Sequence, residues 1–547
     1  MAKYSMGIDF GTLSGRAVLV DIETGAQMAE SVAEYAHGVL SDCFLKGEKL
    51  PAGFALQHPQ DYLDTLYFVI KDCVEKSGVA PEDIIGVGID FTACTLLPVD
   101  DTGTPLCFYE EFKEDPHAYV KLWKHHAAQN EADEINALAE KTQQPWLKQY
   151  GGTVSSEWLW PKVLEILRKD EPLYNRTHRF IEAGDWIVWK LTGKETHSVC
   201  AAGFKANWRE NAGYPDARFL GELDKRLETA VGTKISEAVI KLSEPAGYIT
   251  EETEKLTGLK AGTPVSPAVI DAHAALPALG ITHPGELLMI IGTSTCHIML
   301  GDRSIQVPGI SGFVKDGIVD GLLAYEAGQS CVGDGFDWFV KHCVPKEYYE
   351  EARNNDMGIH KYLRSKAEKL GPGSNGIMAL DWWNGNRTPY VDGTLSGCLF
   401  GLGLNTRPEE IYRALVEATA YGTKRIIDIY EENGLMIQKL YAAGGIAEKD
   451  AMLMQIYADV LGKEIHLSGT SQACAHGSAV FGAVSPCGYA TLEEAAEKMK
   501  KLKDLSYKPD PENTRIYQKL YEEYKTLSEY FAKENRVLSR IREISGQ

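Results

Sequence analysis

Two segments in opposite halves of the chain repeat one pattern, an apolar run, a short turn of glycine and hydroxyl residues, and a second apolar run. The first extends from Met6 to Val20 and the second from Glu286 to Leu300. Apolar runs that flank a Gly/Ser/Thr turn predict a β-hairpin in each place. Two such hairpins that face one another could hold the phosphates of a nucleotide between two lobes.

The first turn contains residue types that suit a phosphate and a cation. Gly11 lets backbone N–H groups approach a ligand closely, and Thr12, Ser14 and Arg16 suit phosphate oxygens. Asp9, directly before the turn, suits a hydrated cation. A glycine-rich turn taken alone is more often only a turn, so the prediction of a phosphate site depends on the second copy.

The second turn and a third segment extend the pattern. Gly292 and Thr293 lie in the turn of the second hairpin, and the apolar run that begins at Leu440 ends at Gly444 and Gly445 before a helical pattern. Neither a Walker-type loop nor a dinucleotide fingerprint competes for the phosphates. The three-part set resembles the nucleotide-binding superfamily of actin, hexokinase and Hsp70.

Composition limits the classes of protein and partner. A chain of 547 residues is too long for one core and predicts two to four domains. The formal net charge of −21 argues against nucleic acid or an anionic membrane as a partner. The first residues run directly into a strand pattern and no apolar run has the length of a membrane span, so a cytoplasmic location is expected.

Three further residues are candidates for chemistry. Asp271 follows an apolar strand pattern and precedes an Ala-rich run, which suits either a helix cap or a general base, and we favour the base. Lys205 stands alone in a small-residue stretch, where a solvated lysine is the ordinary interpretation. Glu326 lies in another small-residue turn, where a structural carboxylate is the ordinary interpretation.

Two predictions concern helices. A charged helix is predicted from Leu122 to Lys141; its adjacent His125 and His126 would diverge by about a hundred degrees, so a solvated face is favoured over a metal pair. The tail from Pro511 to Ile544 is predicted to be one long amphipathic helix with a solvated charged face.

Six segments spread over nearly the whole chain form one set. They are Asp9-Phe-Gly-Thr, Asp185-Trp to Leu191-Thr-Gly, Asp271, Gly292-Thr-Ser-Thr, Gly397-Cys-Leu-Phe-Gly-Leu and Glu417-Ala-Thr-Ala. In these segments the sequence resembles the FGGY family of carbohydrate kinases. Leu415 departs from the family pattern, which has a smaller or β-branched residue there, but this is a packing position.

The resemblance implies an α/β fold with two actin-like (ribonuclease H-like) lobes, each a mixed sheet flanked by helices, with a cleft between them. Residues 1–280 would form the first lobe, with the sugar site, the first phosphate hairpin and the catalytic base. Residues 281–547 would form the second lobe, with the second phosphate hairpin and the adenosine site. A homodimer is also implied.

The resemblance further implies a reaction that uses ATP and Mg²⁺ to phosphorylate a ketopentose, with L-ribulose expected, on its terminal hydroxyl in L-arabinose catabolism. Asp271 would be the catalytic base. The alternatives are a kinase for D-ribulose, xylulose or a pentitol, or a non-catalytic nucleotide switch. The implied roles are sugar binding for Ala93, Lys205, Asp271 and Glu326, metal binding for Asp9, and nucleotide binding for Gly11, Thr12, Ser14, Arg16, Gly292, Thr293, Gly444 and Gly445.

Overall fold

The computed structural model describes residues 2–545, in which two mixed sheets of seven strands each are flanked by helices. The strands are β1 (Tyr4–Phe10), β2 (Ser14–Asp21), β3 (Gln27–Glu34), β4 (Leu56–Gln57), β5 (Ile84–Phe91), β6 (Leu96–Val99), β7 (Val120–Lys121), β8 (Arg179–Glu182), β9 (His197–Ser198), β10 (Val239–Ile240), β11 (Gly247–Tyr248), β12 (Pro264–Val265), β13 (Val269–Ile270), β14 (Glu286–Ile291), β15 (Thr295–Gly301), β16 (Gly312–Lys315), β17 (Leu323–Gln329), β18 (Met378–Leu380), β19 (Cys398–Phe400), β20 (Lys439–Ala443), β21 (Ile465–Ser468) and β22 (Leu502–Tyr507).

The first sheet has the strand order β11-β12-β5-β1-β2-β3, with β13 also paired to β5, and the second has the order β16-β17-β15-β14-β20-β21-β22. A four-stranded sheet, β4-β7-β6-β8, and the pairs β9-β10 and β18-β19 complete the strands of the described residues.

The helices cover the faces of these sheets, and none of those in the described residues is both long enough and apolar enough to cross a bilayer. They are α1 (Pro59–Ser77), α2 (Gln129–Lys141), α3 (Leu159–Lys169), α4 (Glu171–Arg176), α5 (Ala183–Thr192), α6 (Val199–Lys205), α7 (Ala217–Leu223), α8 (Ala230–Thr233), α9 (Glu251–Thr257), α10 (Asp271–Ala278), α11 (Gly333–Cys343), α12 (Lys346–Asn354), α13 (Ile359–Ala367), α14 (Pro408–Glu432), α15 (Gly445–Lys449), α16 (Ala451–Leu461), α17 (Ala473–Ala483), α18 (Leu492–Met499), α19 (Pro511–Glu529) and α20 (Val537–Ser545).

Both predicted hairpins are confirmed. β1 and β2 are antiparallel with Asp9 opposite Arg16, and β14 and β15 are antiparallel with Ile291 opposite Thr295. Both strands of each hairpin are largely buried. Their apolar side chains explain this, because removal of apolar surface from water is favourable. Each turn therefore lies at the edge of its sheet.

Three strands of the first sheet bring acidic residues to the same edge. β1 and β5 are parallel with Asp9 beside Asp90, and β13 is parallel to β5 with Val269 beside Asp90. Since Asp271 follows β13 directly, it starts α10 at the carboxyl ends of these strands. Ligands bind at such edges in open α/β sheets.

Helix α17, from the second half of the chain, packs on the first sheet and on α10. Glycine makes this close approach possible, since a Cβ added to Gly88 would lie 1.8 Å from the carbonyl oxygen of Ser478. An apolar cluster beside it combines Leu276 of the first half with Leu288 and Phe481 of the second half. The predicted boundary at residue 280 stays a prediction.

The prediction of a helix from Leu122 was wrong, because α2 begins only at Gln129. His125 is fully buried rather than solvated, and its Nε2 lies 3.0 Å from Oε2 of Glu165. The residues between β7 and α2 instead form a loop. The buried contact of His125 with the carboxylate of Glu165 holds this loop in position.

The tail is also not one helix. α19 ends at Glu529, a π-helical turn covers Tyr530–Glu534, and α20 begins at Val537. Tyr517, Tyr521 and Tyr524 of α19 are buried against the core of the second half.

Candidate active site

A group of carboxylates lies at the carboxyl edge of the first sheet. Oδ2 of Asp9 is 3.3 Å from Nε of Arg16. Asp90 is fully buried; its Oδ2 accepts a hydrogen bond of 2.6 Å from Oγ of Ser478, whereas its Oδ1 has no partner among the described residues. Burial raises the pKa of Asp9, and burial together with the charge of Asp9 raises the pKa of Asp90.

Asp271 is half-buried beside this group. Its Oδ1 accepts a hydrogen bond of 2.7 Å from the N–H of Ala272 at the start of α10. Burial first, and then the negative charge of Asp9, raise the pKa of Asp271 to about 7. A carboxylate with such a pKa can take a proton near neutral pH, which is the property that a general base requires.

Lys205 and Glu326 form a buried ion pair that joins the two halves of the chain. Nζ of Lys205 lies 2.9 Å from Oε1 and 3.0 Å from Oε2 of Glu326. His273 donates from Nε2 to Oε2 of Glu326 at 3.0 Å, and its Nδ1 lies 3.2 Å from Sγ of Cys200. Lys205 and His273 hold the pKa of Glu326 well below its usual range. The ordinary interpretation of Lys205 as a solvated lysine was therefore wrong.

A cavity of about 450 Å³ contains this ion pair. Its lining includes Trp158 and Lys205 from the first half of the chain, and Glu326, Asn386 and Arg387 from the second half. Charged donors and acceptors together suit a polyol, because each hydroxyl both donates and accepts.

Two of the predicted sugar residues do not line this cavity. Ala93 is half-buried and borders a separate space of about 10 Å³ with Glu182 and Asp185. Asp271 lies near the ion pair, since the charges of Lys205 and Glu326 both affect its pKa.

The second hairpin turn and the third segment meet at another cavity, of about 480 Å³. Gly292, Thr293 and Gly445 line it together with Tyr412. Gly444 has φ 98°, and a Cβ there would lie 2.5 Å from the carbonyl oxygen of Ile291. Only glycine allows the two turns to approach this closely.

The first hairpin turn is held mostly by residues of the first half of the chain, and Nη1 of Arg16 also donates to Oε1 of Gln472 of the second half at 3.3 Å. Gly11 donates its N–H to the carbonyl of Ser14 at 3.0 Å, and Nη2 of Arg16 donates to Oγ of Ser14 at 3.1 Å. Oγ1 of Thr12 accepts a hydrogen bond of 3.1 Å from Nε1 of Trp123, and its carbonyl accepts one of 2.7 Å from Nε2 of Gln57. Thr12 is thus fixed from two directions.

Sequence reasoning missed Asp90, His273 and Arg387. The signal for Asp90 was present, because Ile89-Asp90 ends one apolar strand as Ile8-Asp9 ends another. His273 and Arg387 have no local signal, since only the folded chain brings them to Glu326 and its cavity.

Comparison with known proteins defines the class. The N-terminal domain of the FGGY family of carbohydrate kinases matches residues 4–278, and the C-terminal domain of that family matches residues 287–485. The chain belongs to the FGGY family of carbohydrate kinases. The family predicted from the sequence is thereby confirmed.

Two relatives carry the same name. The chain is 50% identical to a ribulokinase of Bacillus licheniformis, covering 98% of each chain. It is 48% identical to a ribulokinase of Halalkalibacterium halodurans, covering 100% of this chain and 98% of the relative.

Solved structures share the fold. A xylulose kinase from Rhodospirillum rubrum aligns with a TM-score of 0.78 at 22% identity, over 97% of this chain and 99% of that chain. A ligand-bound xylulose kinase from Lactobacillus acidophilus aligns with a TM-score of 0.81 at 17% identity, over 97% and 99%. The predicted fold of two actin-like lobes is confirmed.

Proposed function

We propose that the chain transfers the γ-phosphoryl group of ATP to the terminal hydroxyl of L-ribulose, giving ADP and L-ribulose 5-phosphate, a step of L-arabinose catabolism. The observation that carries the proposal is the match, at 50% identity over 98% of both chains, to a ribulokinase. The buried Lys205–Glu326 pair supports it, since a non-catalytic nucleotide switch has no need of a charged polyol cavity.

The sugar would lie against Lys205 and Glu326. The family resemblance adds the Ala93 backbone to its contacts, although Ala93 borders a separate small space in this structure. The ammonium of Lys205 has three donors, and the carboxylate of Glu326 only accepts. His273 keeps Glu326 ionised and oriented, because a neutral imidazole donates to it at 3.0 Å. Sugar hydroxyls would therefore meet one fixed donor group and one fixed acceptor group.

Asp271 would take the proton from the attacking hydroxyl. A base whose pKa is about 7 is largely ionised at physiological pH and still basic enough to accept the proton. The N–H of Ala272 occupies Oδ1 at 2.7 Å, which leaves Oδ2 for the substrate.

The phosphates would lie between the two hairpin turns. Arg16 would neutralise charge on the transferring group, with Gly11, Thr12 and Ser14 beside it, while Gly292 and Thr293 would contact the phosphates from the second lobe. Gly444 and Gly445 would border the adenosine, and Gly445 lines the cavity of about 480 Å³.

Mg²⁺ fits the first hairpin. In the described residues no group of three or more His, Cys, Asp or Glu side chains could hold a metal by itself, but Mg²⁺ usually binds through one or two carboxylates, water and phosphates. Asp9 would hold it, and the unpartnered buried Oδ1 of Asp90 gives a second oxygen close by. When bound, Mg²⁺ neutralises phosphate charge.

Comparison of kcat/KM for L-ribulose, D-ribulose, xylulose and ribitol tests this proposal. We expect the highest kcat/KM with L-ribulose, because the site would have to discriminate by its hydroxyl contacts. A higher value for another sugar would favour the alternative kinases, and ATP turnover that no sugar changes would favour the switch. A homodimer remains a proposal from the family resemblance, and a cytoplasmic location remains a proposal from the sequence.

A further inference from the structure

The loop from Thr92 to Thr95 joins β5 to β6 and lies near the proposed sugar site, since the charge of Lys205 affects the pKa of Cys94 in this loop. It follows β5 and carries Ala93, and its Cys94 has φ 54°. Residues other than glycine seldom adopt this left-handed backbone conformation, so surrounding contacts have to hold the loop in place.

Two buried charges hold the peptide between Cys94 and Thr95 from its two sides. Nζ of Lys162 donates to the carbonyl oxygen of Cys94 at 2.5 Å. Oε2 of Glu182 accepts the N–H of Thr95 at 2.9 Å. A cation thus meets the negative end of the peptide dipole and a carboxylate meets its positive end, an arrangement that fixes the rotation of the peptide plane.

Lys162 also reaches the neighbouring segment. Its Nζ donates to the carbonyl oxygen of Leu122 at 2.9 Å, and the next residue, Trp123, donates to Oγ1 of Thr12 in the first hairpin turn. One ammonium therefore contacts both the Ala93 loop and the segment that holds the phosphate hairpin.

Both charged side chains come from elements outside the catalytic group. Lys162 lies on α3 and is fully buried, and Glu182 ends β8 with 8% of its surface exposed. Removing a charged group from water costs free energy, and apolar residues in its place often give the folded protein equal stability. Placement of both charges on one peptide suggests that orientation of the loop is what they provide.

We propose that Lys162 and Glu182 are positioning residues, which hold the Cys94–Thr95 peptide so that the Ala93 backbone lies correctly against the sugar. They set the affinity for the ketopentose without touching it. This inference rests on the proposed function, because it assumes that Ala93 borders the sugar.

Variants at both residues test the inference through the two KM values. In Glu182→Leu we expect the KM for L-ribulose to rise about tenfold, with the KM for ATP changed less than about twofold. In Lys162→Met we expect the same rise in the KM for L-ribulose, but the KM for ATP is free to change as well, because Lys162 also contacts the segment that holds Thr12. Glu182→Gln keeps an oxygen that can accept the Thr95 N–H, so its sugar KM should stay near that of the unchanged protein. Thermal unfolding of each variant reports whether it is folded.

Glu417 provides a matched control. It is buried like Glu182, and its Oε1 accepts a backbone N–H, that of Gly373 at 3.2 Å. The same oxygen also accepts from Nε of the buried Arg413 at 2.9 Å, and the residue lies on α14 in the core of the second half. Glu417→Leu should lower stability and leave the sugar KM unchanged.

The outcomes separate this inference from the proposed function. If the unchanged protein does not phosphorylate L-ribulose, the proposed function fails. If it does, and folded Lys162→Met or Glu182→Leu keeps the sugar KM, the positioning role is wrong. An equal rise in Glu417→Leu would also overturn it. The two variants approach the peptide from opposite sides, so failure of one to fold leaves the other as the test.

Discussion

At the scale of single residues, the environment of Asp271 makes a prediction about pH. Its pKa is raised to about 7, so the protonated and inactive form accumulates as pH falls through this value. We expect kcat/KM for L-ribulose to fall about tenfold for each unit of pH below about 6.5, and to level off above about 7.5. Initial rates over this range provide the measurement; a flat profile from about pH 5.5 to 7.5 would contradict the assignment.

Asp9 makes a second prediction at this scale. Asp9→Asn removes the negative charge that would hold Mg²⁺ and keeps the shape of the side chain, so the Mg²⁺ concentration for half-maximal rate should rise about tenfold. A Mg²⁺ titration at saturating ATP and sugar measures this. An unchanged titration would show that Asp9 only shapes the turn beside Arg16.

The sequence allowed some of these residues to be predicted and others not. Asp9 and Gly292 occur in local patterns, an apolar strand followed by a polar turn, that physical chemistry alone interprets. Lys205 and Glu326 came only from the resemblance to the family, because each has an ordinary local context. Their 2.9 Å contact joins residues far apart in the chain, and no local pattern encodes it.

At the scale of elements, the crossing of α17 over the first sheet should depend on glycine. In Gly88→Ala the new Cβ would lie 1.8 Å from the carbonyl oxygen of Ser478, a backbone atom that can move only with its helix. We expect the free energy of unfolding to fall by about 3 kcal/mol.

Gly358 offers the control, since a Cβ there would have no neighbour within 4 Å. Thermal or denaturant unfolding of Gly88→Ala and Gly358→Ala measures the difference. Equal stability of the two variants would mean that α17 does not need this close approach.

Strands and helices were predicted best where a continuous stretch of sequence itself shows which residues are buried. The hairpins and the strand β20 follow from their apolar runs, whereas the Leu122–Ala128 loop did not, because the buried contact of His125 with Glu165 removes it from a helical pattern. The end of α19 at Glu529 was not predicted either. The buried tyrosines of this helix pack on the core of the second half, Tyr524 on Tyr421 more than a hundred positions away.

At the scale of the whole molecule, the site is divided between the two halves of the chain. Asp271 comes from the first half and Gly292 from the second, and the connection between them contains Gly280 and Gly285 with φ of 74° and 80°. Such positions can absorb the backbone rotation of a hinge.

Closure of the cleft is therefore predicted when sugar and nucleotide bind, because a phosphoryl donor has to be kept from water. Small-angle scattering with L-ribulose and a non-hydrolysable ATP analogue should show a smaller radius of gyration than the free protein. An identical radius in a fully active preparation would count against a large closure.

The most direct test of the central claim, that Asp271 takes the proton from the sugar hydroxyl, is the turnover of Asp271→Asn with L-ribulose and Mg²⁺-ATP. Asparagine keeps the shape of the side chain and removes its basicity. We expect kcat to fall about a hundredfold or more, with a modest change in the KM for L-ribulose. Near-normal turnover in the folded variant would contradict the claim.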